Sequence, residues 1–246
     1  MEENNNIHLE CMLYNYWRLI KQNELKPKEF DIIKNRLEKL ENNKKNIIKS
    51  LEEKNIKIKI EEENKLYKKL YLEDKGNKKI NNEEFKLITK LYYKNLKEIN
   101  LSDNQISDID CLNQMILPHL ESLNMSKNQI QKIDPIIDCI KLKKIDFSHN
   151  QISDIKCLSE EKLPYLEFLN MSNNKIDSIK ELSDYKKIKE IDFSNNCIIN
   201  FFSKVEFLNL KKINLIGNSI NRRNKIYSEF EKKYKDIIII DEKNIK

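Results

Sequence analysis

The sequence predicts an α/β solenoid: small coils stacked along a parallel β-sheet, preceded by an α-helical N-terminal segment. Three observations predict it. An asparagine recurs at Asn104, Asn128, Asn150, Asn174, Asn196 and Asn218, each time within Leu-x-x-Ile-x-Leu-x-x-Asn-x-Ile or a close apolar variant. The phrase opens at Leu96, Leu120, Leu142, Leu166, Ile188 and Leu210, at spacings of 22 or 24 residues. An apolar residue returns thirteen positions after five of the openings, at Ile109, Ile133, Ile155, Ile179 and Phe201. A unit this short cannot bury its own core, so its neighbours must bury it.

Taken in chain order, residues 7–22 have the apolar content of a helix, with Trp17, the only tryptophan, as its core anchor. Asn23 to Pro27 reads as a turn, and Pro27 suits the first turn of a second helix. There, Phe30, Ile33, Leu37, Leu40, Ile47 and Leu51 follow 3-4 heptad spacing, interrupted at Lys44. Two readings follow: a coiled-coil seam giving self-association through residues 28–54, or a hairpin packed within the chain. The short, broken run favours the hairpin. Residues 1–65 are thus a helical extension. Residues 66–95 read as a degenerate first coil, in which Leu70, Leu72, Asn77 and Ile80 take the roles of Ile99, Leu101, Asn104 and Ile106.

Residues 96–217 hold the six repeats. In the first, Ile99 and Leu101 alternate with Glu98, Asn100 and Ser102, the signature of a short strand with one apolar face. Asn104 then enters an inward turn, where its amide can satisfy backbone groups of neighbouring coils. A longer symmetry overlies the first. NQISDIDCL at 104–112 returns as NQISDIKCL at 150–158, and LPHLESLNMS at 117–126 as LPYLEFLNMS at 163–172, both offset by 46 residues. A duplicated two-repeat unit accounts for the alternating lengths. Residues 218–246 close the array with Ile226, Phe230, Tyr234, Ile237, Ile240 and Asp241.

These repeats resemble the leucine-rich repeat family, in its short 22-residue intracellular class. The terminal segment resembles that class's C-terminal cap, with Ser219 for its first proline, Ile226 for its tyrosine and Lys235 for its second proline. The resemblance implies a curved solenoid with the parallel sheet on the concave face. It implies a non-catalytic scaffold or adaptor holding a protein partner there. More specific roles implied by analogy are a ribonucleoprotein subunit like the spliceosomal A-prime protein, a protein phosphatase regulatory subunit, or an axonemal dynein-associated protein.

Candidate contacts lie where the phrase varies. On the open side of the strands these are Glu98, Ser122, Lys144, Phe168, Glu190 and Lys212; beyond them come Asp103, Lys127, His149, Asn173 and Asn195. Phe168 stands out as an aromatic on a polar face, the profile of a binding hot spot. The uniform columns Asn100, Asn124, Asp146, Asn170, Asp192, Asn214 and Ser102, Ser126, Ser148, Ser172, Ser194 read as framework. Asp146, Ser148 and His149 also invite a catalytic-triad reading, but two of the three merely fill those columns.

The net charge of +6 is uneven. Residues 1–95 carry 22 basic and 17 acidic groups, residues 96–210 carry 14 and 18, and residues 211–246 carry 10 and 5. The basic C-terminal patch is Lys211, Lys212, Arg222, Arg223 and Lys225, holding two of the four arginines. It reads as a solvated cap or as a contact for RNA within a ribonucleoprotein. No phosphate-binding glycine motif is present, His8 and His119 lack partners at metal-ligand spacing, and no cofactor or metal is expected. Five cysteines without a C-x-x-C pair, no secretory leader and no membrane-length apolar run predict a reducing intracellular setting, cytoplasmic or nuclear.

Overall fold

Stacking at a period near 22 residues requires each coil to contribute one strand to a shared sheet, and the computed structural model has that arrangement. It describes residues 27–54, 56–63, 66–73, 79–91, 96–115, 117–182, 185–199, 207–221 and 223–239. The expectations for helix 7–22, Trp17, Cys11, Asn77, Phe201, Arg222, Ile240 and Asp241 fall outside these residues.

Six three-residue strands form the repeat: β3 (Glu98–Asn100), β4 (Ser122–Asn124), β5 (Lys144–Asp146), β6 (Phe168–Asn170), β7 (Glu190–Asp192) and β8 (Lys212–Asn214). Each is parallel to the next, in a register that sets Ile99, Leu123, Ile145, Leu169, Ile191 and Ile213 opposite one another. That central residue is buried in every strand, and the residues flanking it are not. The next inward position, Leu101, Met125, Phe147, Met171, Phe193 and Leu215, is buried throughout. On the far side, Ile109, Ile133, Ile155 and Ile179, with Leu112, Ile136, Leu158 and Leu182, fill the coils from the convex wall. Tight 3-10 turns at Asp110–Gln114, Asp134–Asp138 and Lys180–Leu182 carry Leu112, Ile136 and Leu182, the second members of three of the four pairs.

The recurring asparagine is buried in all six coils and links each coil to the one before it. Asn150 shows the pattern. Its Oδ1 accepts the Ile130 N–H at 2.9 Å, and its Nδ2 donates to the carbonyls of Met125, Phe147 and Ser148 at 3.0, 3.0 and 3.2 Å. Asn128, Asn174, Asn196 and Asn218 likewise accept from Ile106, Ile152, Ile176 and Ile198 of the preceding coil. An unpaired buried amide is expensive, which is why this side chain cannot vary while its neighbours do.

The N-terminal end is not wholly helical. Helix α1 (Pro27–Glu53) begins at the proline the sequence pointed to. It ends with Leu51 in the core and Ile47 and Ile48 packed against it, so this stretch of the heptad run is used within the chain. Residues 57–63, placed by the sequence in a helical extension, instead form strand β1 (Lys57–Glu63), antiparallel to β2 (Leu66–Glu73). The alternation of Lys57-Ile58-Lys59-Ile60 has period two, which a helix cannot use to face one core. Strand β2 is parallel to β3 with Leu70 opposite Ile99, and Ile80 N–H donates to Asn104 Oδ1 at 3.0 Å, as Ile106 does to Asn128. Helix α2 (Asn82–Thr89) follows, started by an Asn81–Glu84 capping box, and buries Phe85 and Ile88 over the first coil.

At the other end, helix α3 (Lys225–Tyr234) covers the last coil. Its buried residues are Tyr227, Phe230 and Tyr234. The tyrosine absent at Ile226 is therefore present one position later: Tyr227 takes the buried place and Ile226 is half-buried. Tyr234 Oη accepts the Phe207 N–H at 2.7 Å and donates to Phe207 O at 3.2 Å. The chain then adds strand β9 (Ile238–Ile239), parallel to β8, completing a nine-strand sheet in sequential order.

Cys111 and Cys157, equivalent under the 46-residue offset, are buried free thiols, and burial pushes them up to about 11 and about 12. Cys139 is also buried and in no disulfide, whereas Cys197 is exposed.

Two outcomes follow. Asn150→Ala strands the Ile130 N–H and removes one of the two donors to each of the Met125, Phe147 and Ser148 carbonyls, so urea unfolding should show a loss of about 3 kcal/mol. Gln151→Ala, at an exposed position, should stay within about 0.5 kcal/mol. Labelling the native protein with maleimide at neutral pH should modify Cys197 and spare Cys111, Cys139 and Cys157 until denaturant is added, read by peptide mass spectrometry.

Candidate functional site

The sheet's open face presents four rows of side chains across β3–β8, and the parallel register sets their order. The first row precedes the strands: Lys97, Glu121, Lys143, Glu167, Lys189 and Lys211. Its signal in the residue order is a charge that alternates in sign from Lys97 to Lys189 one position after each opening. Glu121 bridges both neighbours, 3.7 Å from Lys97 and 2.9 Å from Lys143. Glu167 pairs with Lys189 at 2.6 Å. Hydrogen bonds from Lys143 and from Lys189 hold the Glu121 and Glu167 carboxyls below the usual carboxylate range. These groups are half-buried at the surface and within reach of solvent, so the row organises the surface more than it stabilises the fold.

The second row is the variable one. Glu98, Ser122 and Phe168 are half-buried; Lys144, Glu190 and Lys212 are exposed. Cross-strand register brings Lys144, Phe168, Glu190 and Lys212 onto adjacent strands. The Lys144 ammonium sits over the Phe168 ring, 5.2 Å from its centroid, so the aromatic is part of a cation–π pair.

The third row, Asn100, Asn124, Asp146, Asn170, Asp192 and Asn214, is occupied with the backbone. Each Oδ1 accepts the N–H two residues on, at 2.9 to 3.2 Å. Asn170 and Asn214 also donate to Asp146 and Asp192 across the strands. The serines that follow do not line an open face: Ser126, Ser148, Ser172 and Ser194 are buried. Ser148 Oγ donates to Asp146 Oδ1 at 2.7 Å, and Ser126 and Ser194 repeat that bond with Asn124 and Asp192. His149 instead meets Asn173, Nε2 to Nδ2 at 3.3 Å. The three residues of the triad reading are thus engaged in two separate contacts, and the serine's bond is a repeat feature found where no histidine follows.

The fourth row was read from sequence as variable contact residues. Its backbone places a constraint on that reading. Asp103, Lys127, His149, Asn173 and Asn195 all lie at φ of 53 to 58°, and Gly217 at 73°. The left-handed conformation favours Asn, Asp and Gly, which is what three of the five non-glycine positions hold. The row is also linked along its length. Asn195 donates to Asn173 at 3.2 Å, Asn173 meets His149, and at the N-terminal end Lys79 pairs with Asp103 at 2.7 Å, lowering that carboxyl through the hydrogen bond. A Cβ at residue 217 would lie 2.1 Å from Asn195 Oδ1, so glycine there leaves room for the asparagine ladder.

The basic patch divides. Lys211 and Lys212 belong to the first two rows, with the Lys211 N–H bonded to Lys189 O in the sheet. Arg223 and Lys225 are exposed in the cap, before and within the first turn of α3. Among the described residues no group of three or more His, Cys, Asp or Glu is placed to hold a metal ion, and no helix is long and apolar enough to cross a membrane.

A family model of leucine-rich repeats in two copies matches residues 94–138 and again 140–184. The two matches begin 46 residues apart, the offset of the internal duplication. No functionally curated protein matches the chain in sequence. Among solved structures, a leucine-rich repeat protein of Leptospira interrogans is 25% identical over 64% of this chain and 44% of that chain, with a TM-score of 0.53. An internalin of Listeria monocytogenes is 24% identical over 63% of this chain and 50% of that one, with a TM-score of 0.48. The chain spans half or less of the length of these two proteins. With two tandem matches over residues 94–184, six coils in one register and an asparagine bridging each pair, the array is similar to leucine-rich repeats in sequence and shares their fold.

Proposed function

We propose that this chain is a non-catalytic scaffold that holds a protein partner on the concave face of its sheet, with Phe168 at the centre of contact. Leucine-rich repeat proteins typically act in protein–protein interaction, and the chain carries the array such binding uses. The single observation behind the assignment is the Lys144–Phe168 pair on the variable row. It sets a half-buried aromatic, a side-chain type enriched at interfaces, beside an exposed cation. Glu190 and Lys212 flank it on the next two strands, so the face selects a segment bringing an apolar side chain to Phe168 and complementary charges beside it. Rigid strands hold these side chains before binding, which reduces the ordering entropy lost on association. Asp103, Lys127 and His149 form the rim of this surface. Three buried cysteines that form no disulfide among the described residues support a reducing compartment.

Proximity labelling in cells followed by affinity measurement with the captured partner tests the assignment. Phe168→Ala and Lys144→Glu should each weaken binding about thirtyfold, as for a hot spot worth about 2 kcal/mol, with the unfolding midpoint unchanged. Lys156→Glu, an exposed position beyond the asparagine turn, should leave affinity as it was. Full affinity in the Phe168 variant would remove the concave face from the mechanism.

A further inference from the structure

The sheet has two ends, and they differ in kind. The C-terminal end finishes in a two-residue strand beside a helix. The N-terminal end finishes in β1, seven residues long and without proline, where the repeat strands have three. Among the described residues, β2 is the only strand bonded to β1. The irregularity in their pairing is an extra residue on β2: Glu61 stands opposite Lys69 and Glu62 opposite Tyr67, so Lys68 is the bulged position and β1 runs on without interruption. An edge strand of this length offers a row of N–H and C=O groups to another extended chain, and proteins usually keep such edges short or broken.

The sequence of β1, Lys-Ile-Lys-Ile-Glu-Glu-Glu, says what that chain is. Its charges reverse sign about Ile60. In an antiparallel pair of two β1 strands centred on Ile60, Lys57 of one copy stands opposite Glu63 of the other, and Lys59 opposite Glu61. Two-fold symmetry generates each pair twice, giving four Lys–Glu pairs and no like-charge pair, with Ile60 opposite Ile60. Shifting the register by two residues sets Lys59 on Lys59 or Glu61 on Glu61, and in-register parallel pairing sets every charge on its own kind. Opposite charges directly across strands are favourable and like charges unfavourable, so the strand selects one register and one orientation. In the intramolecular register Lys57 stands opposite Glu73 and Glu61 opposite Lys69, while Lys59 and Glu63 stand opposite Tyr71 and Leu66.

We infer that β1 is a homodimer interface, joining two copies by antiparallel β1–β1 pairing about a two-fold axis at Ile60. Such an interface is isologous and closed, so pairing stops at two copies. The two repeat arrays then extend from a continuous sheet, and each keeps its own concave face. The surface is distinct from the one around Phe168, so either can hold without the other.

Sedimentation of the full chain tests this. The wild-type protein should sediment as a dimer at tens of micromolar. Lys57→Glu/Lys59→Glu makes every cross-copy pair Glu–Glu, and Glu61→Lys/Glu63→Lys makes every one Lys–Lys; each should raise the dissociation constant roughly tenfold or more. Mixed in equal amounts the two variants restore four opposite pairs and should form a heterodimer, which a fold defect in either could not produce. The combined four-substitution chain is again self-complementary and should dimerise alone. A monomeric wild type overturns the inference. So does a dimer unaffected by either double substitution, which would place self-association elsewhere, as on residues 28–54. Two variants that fail to pair when mixed overturn it equally.

Discussion

A buried backbone amide without a partner costs about 1–3 kcal/mol, and every coil of this solenoid has one at the turn after its strand. The side chain that answers it comes from the next coil. Ile106, Ile130, Ile152, Ile176 and Ile198 each give their N–H to an asparagine twenty or twenty-two residues ahead. The same asparagine donates to the carbonyl of the preceding coil's inward residue, as Asn174 does to Phe147. Neither coil satisfies its turn alone, so the coils are obliged to stack in one register. Everything on the open face inherits its position from that bond.

The rows follow from this constraint by position. One residue after each opening, side chains lie near enough along the array to form the Lys97–Glu121–Lys143 bridge and the Glu167–Lys189 pair. Three residues later, the backbone takes Asn or Asp to close its own turn. Just before the structural asparagine the chain passes through the left-handed region, which favours Asn, Asp and Gly. In the row from Glu98 to Lys212 the residue type changes from coil to coil. This is the row in which an aromatic, a serine and both charge signs coexist, and selectivity can reside there without cost to the stack.

The terminal structures show where local pattern stops being informative. A repeat announces itself six times, so an error in one copy is corrected by the other five. An end occurs once. The Lys-Ile alternation at 57–60 carried a strand signal, yet the preceding heptad run made a helical extension the simpler reading. Tyr227 was passed over for Ile226 because the cap was aligned by its apolar spacing, whereas the helix turns Tyr227 toward the last coil. The serine column looked like part of an open face, because alternation along the strand continues on paper past the point where the chain leaves the sheet. At Ser126, Ser148, Ser172 and Ser194 the backbone has begun its turn and the hydroxyl is inside.

The periodic features were therefore legible from the residue order: the coil period, the inward and outward positions, the framework columns and the 46-residue duplication. These are short-range regularities, and identical neighbours enforce them on every coil. Three things needed the folded chain. The left-handed row and the inward serines depend on backbone angles that no composition records. The Lys144–Phe168 contact joins residues 24 apart and exists only because parallel register aligns their strands. The edge strand β1 depends on which segment reaches the sheet's open end. Hydrogen bonding between coils decides all three, since contacts distant in sequence take their geometry from the stack and not from the residues beside them.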